Sequence, residues 1–320
     1  MSEVLVLAET TESGVRKPTL ELLTAARRLG EPSAVVFGVP TDAVVAQLGE
    51  YGAAKVYAVA APEAAEYLSV PKAEAMAELA RRVSPVAVLV TSGPEGKDVA
   101  ARVAVRLDAG IVTDAVDVQR DGDSVTVTQS VVAGRFVART QVLRGPAVVT
   151  VRPNAIGSEP APAVPVVEHV DVTLSDQATL ARITSTSPKA GTGRPDLTDA
   201  TLVVSGGRGV GSQEGFAVIE ALADALGAAV GASRTVTDAG WAAHELQVGQ
   251  TGKTIAPQLY VAAGISGAIQ HRAGMQSSKT IIAVNKDPKA PIFAIADLGV
   301  VGDLHSVLPA LTDEVRRRKG

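Results

Sequence analysis

The chain has 320 residues, with 30 Lys and Arg against 34 Asp and Glu for a formal net charge of -4, and 46% of it is hydrophobic. That length and apolar content predict two globular domains; the lack of any run of eighteen apolar residues excludes a membrane-spanning helix, and the weak charge with scattered aromatics argues against nucleic-acid binding. Cysteine is absent, which removes disulfides, thiolate catalysis and cysteine-ligated zinc or iron–sulfur centres, so any redox work would need a bound organic cofactor.

The amino terminus, "MSEVLVLAET", carries Glu3 and no basic segment, so it reads as a first buried strand, Val4–Leu7, and not as a signal peptide. The expected location is therefore cytoplasmic. Pro18–Leu29 is amphipathic, with Pro18 suited to a first helical turn and Gly30 to a C-cap. Ser33–Val39 is a strand, and the next helix opens at Thr41-Asp42. Lys55–Ala60 is a third strand, "PKAEAMAELARRV" a helix, Val86–Ser92 a fourth strand and "GKDVAARVAVRL" a further helix. Apolar strands alternating with helices imply a mostly parallel sheet with helices on both faces.

After Gly110 the pattern changes. Ser124–Arg152 alternates with period two and breaks at glycine, which predicts an antiparallel extension of the first domain. Pro153, Pro160, Pro162 and Pro165 predict a stiff, extended surface segment. Ser185–Leu197 has linker composition, and the domain boundary is expected there: an N-terminal α/β domain over 1–188 and a C-terminal domain over 189–320.

The second half restarts the α/β pattern. Strands are predicted at Thr201–Ser205, Ala228–Ser233, Gln258–Gly264, Lys279–Asn285 and Pro291–Asp297, with helices from about Gln213 to Leu226 and from Asp303 to about Arg317. The terminal "RRRK" at Arg316–Lys319 reads as a solvated last helical turn favoured by the helix dipole, or as a docking patch. No repeat of 20–50 residues is evident, so the halves are two separate sheets.

Two glycine-rich stretches invite a nucleotide reading. Gly252-Lys253-Thr254 looks like the tail of a phosphate-binding loop, but the position five residues before Gly252 is Gln247 and not glycine. Pro257 also falls where the helix of such a loop should run. "SGGRGVG" is better placed, between a strand and a helix, yet its third glycine comes one position early for a dinucleotide fingerprint. The next strand ends in Ser233-Arg234 and not in an acid, which suits phosphate or an electron-rich ring more than a ribose diol. A plain tight turn is the other reading of "GGRGVG".

The sharper signal is "AAGISGAIQHRAG". A strand ends at Gly264, Ile265-Ser266-Gly267 turn, and Ala268–Ala273 begin a short helix. A glycine-rich turn feeding a helix N-terminus at the carboxyl edge of a parallel sheet is where such folds hold anions. His271 lies about one turn in, and by itself a lone histidine is as consistent with a structural role.

Taken in order, "SGGRG", "VGASR", "QVGQTGK", "GISGAIQH", "NKDP" with "APIF", and "ADLGVVGDL" resemble the α subunit of the electron-transfer flavoprotein family. The first half resembles that family's first domain through weaker motifs, from "VLVLAE" through "TSG" to "GKDVAAR". The resemblance implies a Rossmann-like FAD-binding second domain and a first domain that contacts a partner subunit. It implies a heterodimer in which the β subunit adds to the flavin environment and also holds a structural AMP. It implies an electron carrier that converts no substrate itself, taking single electrons from acyl-CoA and related dehydrogenases of fatty acid β-oxidation and passing them to a membrane quinone oxidoreductase.

Residue by residue, the resemblance puts Val248, Gly249, Gln250 and Thr251 in a loop at the flavin ring, with the Thr251 hydroxyl near N5. It lays Arg234 against the ring and His271 near the pyrimidine carbonyl. Ser266, Gly267, Ala268, Ile269 and Gln270 would supply backbone N–H groups around the ribityl–pyrophosphate region, with Ser233 assisting the phosphates. Arg208, Asn285, Asp303 and Leu304 would serve the ADP half. The residue types suit the chemistry: one-electron reduction puts negative charge on the pyrimidine side, where Arg234 and a protonated or donating His271 would stabilise it. Simpler readings stand beside these: a surface ion pair for Arg208, the N-cap of the last helix for Asp303, and turn chemistry for Asn285. His169, His244 and His305 have no metal-ligand spacing and are assigned no site.

Overall fold

The computed structural model describes residues 2–11, 14–61, 63–132, 134–187 and 193–319. The chain divides into two units, one of Met1–Ser130 and Val137–Pro188, the other of Val131–Phe136 and Lys189–Gly320. The boundary expected at 188/189 falls on residues outside the described ones.

In the first unit, β1 (Glu3–Leu7) precedes a small antiparallel pair, β2 (Thr10–Thr11) and β3 (Gly14–Val15). Then come β4 (Glu31–Phe37), β5 (Lys55–Ala60), β6 (Ala87–Thr91), β7 (Ile111–Asp121), β8 (Ser124–Val131), β9 (Phe136–Gln141), β10 (Ala147–Val151) and β11 (Val166–Asp171). Apart from the small pair they form one sheet in the order β11-β5-β4-β1-β6-β10-β7-β8-β9. The central strands β4, β1, β6 and β10 are mostly apolar and buried along nearly all their length because helices cover both faces. The helices Lys17–Arg27 and Asp42–Glu50 bury Leu22, Leu23 and Leu48 on one face, and Ser69–Val83 and Pro94–Leu107 bury Met76, Leu79 and Val103 on the other. Each such side chain contributes about 1.5–3 kcal/mol by leaving water.

One expectation needs correction here, and one strand goes beyond what the pattern predicts. Ala147–Val151, taken as part of an antiparallel run, is a central strand that pairs parallel with both β6 and β7. All five of its residues are buried, so "AVVTV" is the unbroken apolar pattern of a doubly covered strand. β7 pairs antiparallel with β8, and β9 follows β8 as the next strand of the sheet. The proline-rich stretch runs mostly exposed, as expected, but it leads into a strand that the pattern does not predict: β11 lies at the far edge of the sheet, parallel to β5, with Val166 opposite Lys55. Pro165 sits just before that strand, where a missing N–H costs nothing.

The second unit has a five-stranded, all-parallel sheet of β12 (Leu202–Gly206), β13 (Ala229–Ala232), β14 (Leu259–Ala263), β15 (Thr280–Asn285) and β16 (Leu298–Val301), in the order β13-β12-β14-β15-β16. Ile219, Leu222 and Leu308 from the helices Ala217–Leu226 and Leu304–Lys319 cover one face. Tyr260, Met275, Ile281 and Ile292 fill the other. Pro291–Asp297, predicted as a strand, is instead a 3₁₀ turn over Pro291–Ile295, and the last strand starts one residue later, at Leu298. Pro291 at the head of the segment presets a helical φ, which overrides its apolar composition.

The chain passes from β12 to β13 on one side and then crosses back to β14 on the other. The strand order thus reverses between β12 and β14, and the crevice beyond their carboxyl ends is the topological switch point of the sheet.

Candidate cofactor site

The loops that leave β12 and β14 pack backbone to backbone. Gly207 N–H donates to the Ala263 carbonyl (2.8 Å) and Gly209 N–H to the Gly264 carbonyl (3.0 Å). A Cβ on Gly209 would lie 2.7 Å from the Gly264 Cα, and one on Gly207 would overlap the Gly264 carbonyl. Gly207 and Gly209 of "GGRGVG" are therefore required by this close approach and not by a dinucleotide fingerprint, while Gly206 lies against Phe216 and Gly211 is set by its positive φ.

Around the switch point lies a cavity of about 670 Å³. Twelve of the sixteen predicted site residues line it: Arg208, Ser233, Arg234, Val248, Gly249, Gln250, Thr251, Ser266, Ala268, Gln270, His271 and Asn285. Residues scattered over some eighty positions of sequence are brought together because each follows the carboxyl end of a strand or belongs to the loop Gln247–Lys253. That loop extends the sheet edge: Val248 N–H donates to the Ala232 carbonyl (2.9 Å) and Gln250 N–H to the Gln270 carbonyl (2.8 Å).

The other four predicted residues do not line the cavity. Gly267 forms the turn before the helix Ile269–Met275, with φ 86°, and Ile269 is exposed. Leu304 is buried in the core beside Leu308, and Asp303 caps the last helix by accepting from the His305 N–H (2.9 Å). Asn285 lines the cavity, yet its amide is also committed to structure. It donates to the Ile265 carbonyl (2.9 Å) and accepts from Asp287 N–H (3.0 Å), so the turn reading and the site reading both hold for it.

Sequence reasoning missed Asp238. It lines the cavity, and its carboxylate accepts from Arg234 Nε at 3.1 Å. An acid one helical turn after an arginine is the available signal. Both side chains are more than half exposed, so the pair is worth well under 1 kcal/mol, but it offsets part of the positive charge expected at Arg234. Gln247 was also missed. It is buried, accepts from the Thr237 hydroxyl (2.8 Å) and donates through Nε2 to Thr251 Oγ1 (3.0 Å). With its lone pair so engaged, the Thr251 hydroxyl keeps its own proton to offer elsewhere. Lys253 turns to Asp196 (3.6 Å), and neither it nor Thr254 lines the cavity, which leaves no phosphate-loop geometry.

Two buried polar atoms on the cavity wall have no protein partner: Ser233 Oγ and His271 Nδ1. Desolvated polar groups of this kind cost about 1–3 kcal/mol each unless something else satisfies them. The donor set fits an anionic, ring-bearing nucleotide: a hydroxyl, an imidazole, a guanidinium and the backbone of a strand-to-helix turn. Burial pushes His271 down to about 4, the nearby Val248 carbonyl opposing this only in part and making no hydrogen bond of ordinary geometry to Nδ1. The imidazole is thus neutral at pH 7, which selects the donating and not the protonated form of the two expected. Among the described residues no cluster of three His, Cys, Asp or Glu could hold a metal ion, and no helix is long and apolar enough to cross a membrane.

Comparison with known proteins bears directly on this cavity. Residues 4–175 match the family model described as "Electron transfer flavoprotein domain", and residues 196–276 match "Electron transfer flavoprotein FAD-binding domain". The cofactor of the second unit is therefore FAD. The electron transfer flavoprotein subunit alpha of Mycobacterium leprae (strain TN) is 51% identical over 323 residues, covering all of both chains. Those of Paracoccus denitrificans and Bacillus subtilis (strain 168) are 41% and 39% identical, each covering 98% of this chain and 99% and 98% of their own. A solved chain titled "X-ray structure of a putative thiamin diphosphate-dependent enzyme isolated from Mycobacterium smegmatis" aligns over 98% of this chain and 59% of its own, at 12% identity and a TM-score of 0.23. Matched over both units and end to end with these relatives, the chain belongs to the electron transfer flavoprotein family, among its alpha subunits.

Proposed function

We propose that the chain is the α half of a heterodimeric electron carrier, with FAD seated in the switch-point cavity, and that it carries electrons from acyl-CoA and related dehydrogenases to a membrane quinone oxidoreductase. The observation that carries the placement of the flavin is the pair of buried, partnerless polar atoms, Ser233 Oγ and His271 Nδ1, on one cavity wall. When bound, the flavin supplies one-electron chemistry; the chain supplies binding, orientation and electrostatics. In this reading Ser233 and the turn at Ser266–Gln270 hold the phosphates, and Arg208 and Asn285 serve the ADP half, with Asp303 and Leu304, which lie outside the cavity lining, contributing only from the head of the last helix. Thr251, Arg234 and His271 face the ring system, and the Gln247 contact leaves the Thr251 proton pointing outward. The N-terminal domain, taken over 1–188, meets the β chain, which carries AMP. A cytoplasmic location belongs to the same reading.

The test is an absorption spectrum and sedimentation of the chain co-purified with its β chain. A 1:1 complex with one FAD is expected; a monomer or homodimer with full FAD and full carrier activity would sink the heterodimer.

The loop at Gly249–Thr251 gives a sharper comparison. Thr251→Ala is expected to keep its FAD and shift the flavin potential, since one neutral hydrogen bond is worth ~0.5–1.5 kcal/mol. Lys253→Ala is expected to keep both FAD and potential, because Lys253 pairs with Asp196 away from the cavity. Loss of all nucleotide in Lys253→Ala with an unchanged Thr251→Ala would reverse the reading of this loop. At the ring, Arg234→Ala is expected to lower the first reduction potential, and Asp238→Asn to raise it by releasing the guanidinium from its partner. Dithionite titration reads both, and shifts of the same sign would refute the assignment.

A further inference from the structure

We propose that Tyr260 is a positioning residue: its hydroxyl, 2.8 Å from His271 Nε2, fixes the tautomer of the imidazole and so presents Nδ1–H to the cavity. The inference rests on the reading of that cavity as the flavin site and deepens it, because it says which proton meets the ligand and what holds it there.

Tyr260 lies in β14 and is fully buried. Burial suppresses ionisation of its phenol, so the hydroxyl keeps its proton at every ordinary pH. That proton needs an acceptor. Nε2 of His271 is the one group within hydrogen-bond geometry of it among the described residues. The Ser205 hydroxyl lies beside the phenol but makes no hydrogen bond of ordinary geometry. The rings are tilted by 52° with centroids 6.1 Å apart, so the contact is made at the edge, oxygen to nitrogen. A neutral imidazole that accepts at Nε2 carries its single proton at Nδ1.

Nδ1 is buried and partnerless, and His271 lines the cavity. An N–H in that position is offered to an acceptor on the ligand, such as a ring carbonyl, in competition with the nearby Val248 carbonyl. The other tautomer would set a lone pair there and turn the site from donor to acceptor. It would also oblige the phenol to swing its proton to Ser205. The hydroxyl thus acts on the flavin through the imidazole, in the way an outer hydrogen bond sets a metal-ligating histidine.

The test uses the full chain, co-expressed with its β chain and purified with its flavin. Nitrogen-15 chemical shifts of the His271 ring report the tautomer, and a redox titration reports the first reduction step. In the wild type the Nδ1–H form should dominate. Tyr260→Phe keeps the ring and its packing, and should raise the Nε2–H fraction several-fold. It should also weaken the first reduction equilibrium by roughly three- to tenfold, the worth of one hydrogen bond, or ~30–60 mV. In a His271→Gln background, Tyr260→Phe should leave the potential where it is, because its route is gone. A wild-type tautomer in Tyr260→Phe overturns the proposal, as does a potential shift that persists in full without His271. A wild-type protein that carries no flavin would fail the underlying reading of the cavity instead, and the nitrogen-15 measurement would still decide whether Tyr260 sets the tautomer.

Discussion

Replacing Gly274 with alanine is expected to strip most of the FAD from a protein that still folds. Gly274 sits in the helix Ile269–Met275, where alanine would ordinarily be preferred by about 1 kcal/mol. Here the added Cβ would come within 2.5 Å of the Gly249 Cα and 3.0 Å of the Lys253 carbonyl oxygen. Both obstacles are backbone, so no side chain can swing aside. The helix and the loop must separate, and overpacking of this kind costs ~1–3 kcal/mol. The loop that gives way bears Gly249, Gln250 and Thr251, all on the cavity wall. If the bound flavin restores the original spacing, that cost is charged to affinity, which weakens ~5–150-fold. The FAD-to-protein ratio after exhaustive gel filtration reads it. Gly157→Ala, with no atom within 4 Å of the new Cβ, is the control and should retain its flavin. Wild-type occupancy in Gly274→Ala would mean that the contact between helix and loop yields freely and does not hold the site.

The second large effect is on acid stability. His271 is pushed by burial from 6.5 to about 4, so the unfolded chain takes up this proton near pH 6.5 and the folded chain only near pH 4. Between those values the unfolded state binds more protons, and stability falls as pH falls; above about pH 6.5 the group contributes no pH dependence. His271→Gln cannot titrate. Between pH 7 and pH 4.5 it should therefore lose ~2–3 kcal/mol less stability than the wild type, at 1.36 kcal/mol per unit of pKa difference. Urea unfolding at the two pH values measures this. Parallel losses in the two proteins would show that the imidazole is not desolvated as the fold implies.

Most of the first sheet is legible in the sequence because its buried strands are short apolar runs bounded by helices with ordinary start signals. The errors come where local pattern and tertiary environment part. "AVVTV" follows a genuinely alternating region and was drawn into it, although its burial on both faces is what a central parallel strand requires. β11 has one buried residue in six, and nothing local distinguishes it from a surface loop; only its pairing with β5 makes it a strand. The cavity residues were legible through the family motifs, since His271, Thr251 and Arg234 lack any spacing that implies a site. Asp238, Gln247 and Tyr260 act on those residues from behind or beside them. Asp238 is signalled only by its spacing from Arg234, and the contacts of Gln247 and Tyr260, across 4 and 11 positions of sequence, are encoded by no motif.

The pairing of β11 with β5 also has a consequence for biosynthesis. Lys55–Ala60 emerges from the ribosome more than a hundred residues before its outer neighbour, Val166–Asp171. For all that interval the nascent domain carries an open edge of unpaired N–H and C=O groups along "KVYAVA", a β-rich segment with one charge. The proline-rich stretch that follows β10 is therefore a tether that brings a covering strand back across the sheet, and the "KVYAVA" edge is covered only once residue 171 is free to pair, leaving the mostly exposed, acid-bearing "VVEHVD" as the outer edge in its place. A chain stopped short of that point would expose the same edge permanently, however complete its core.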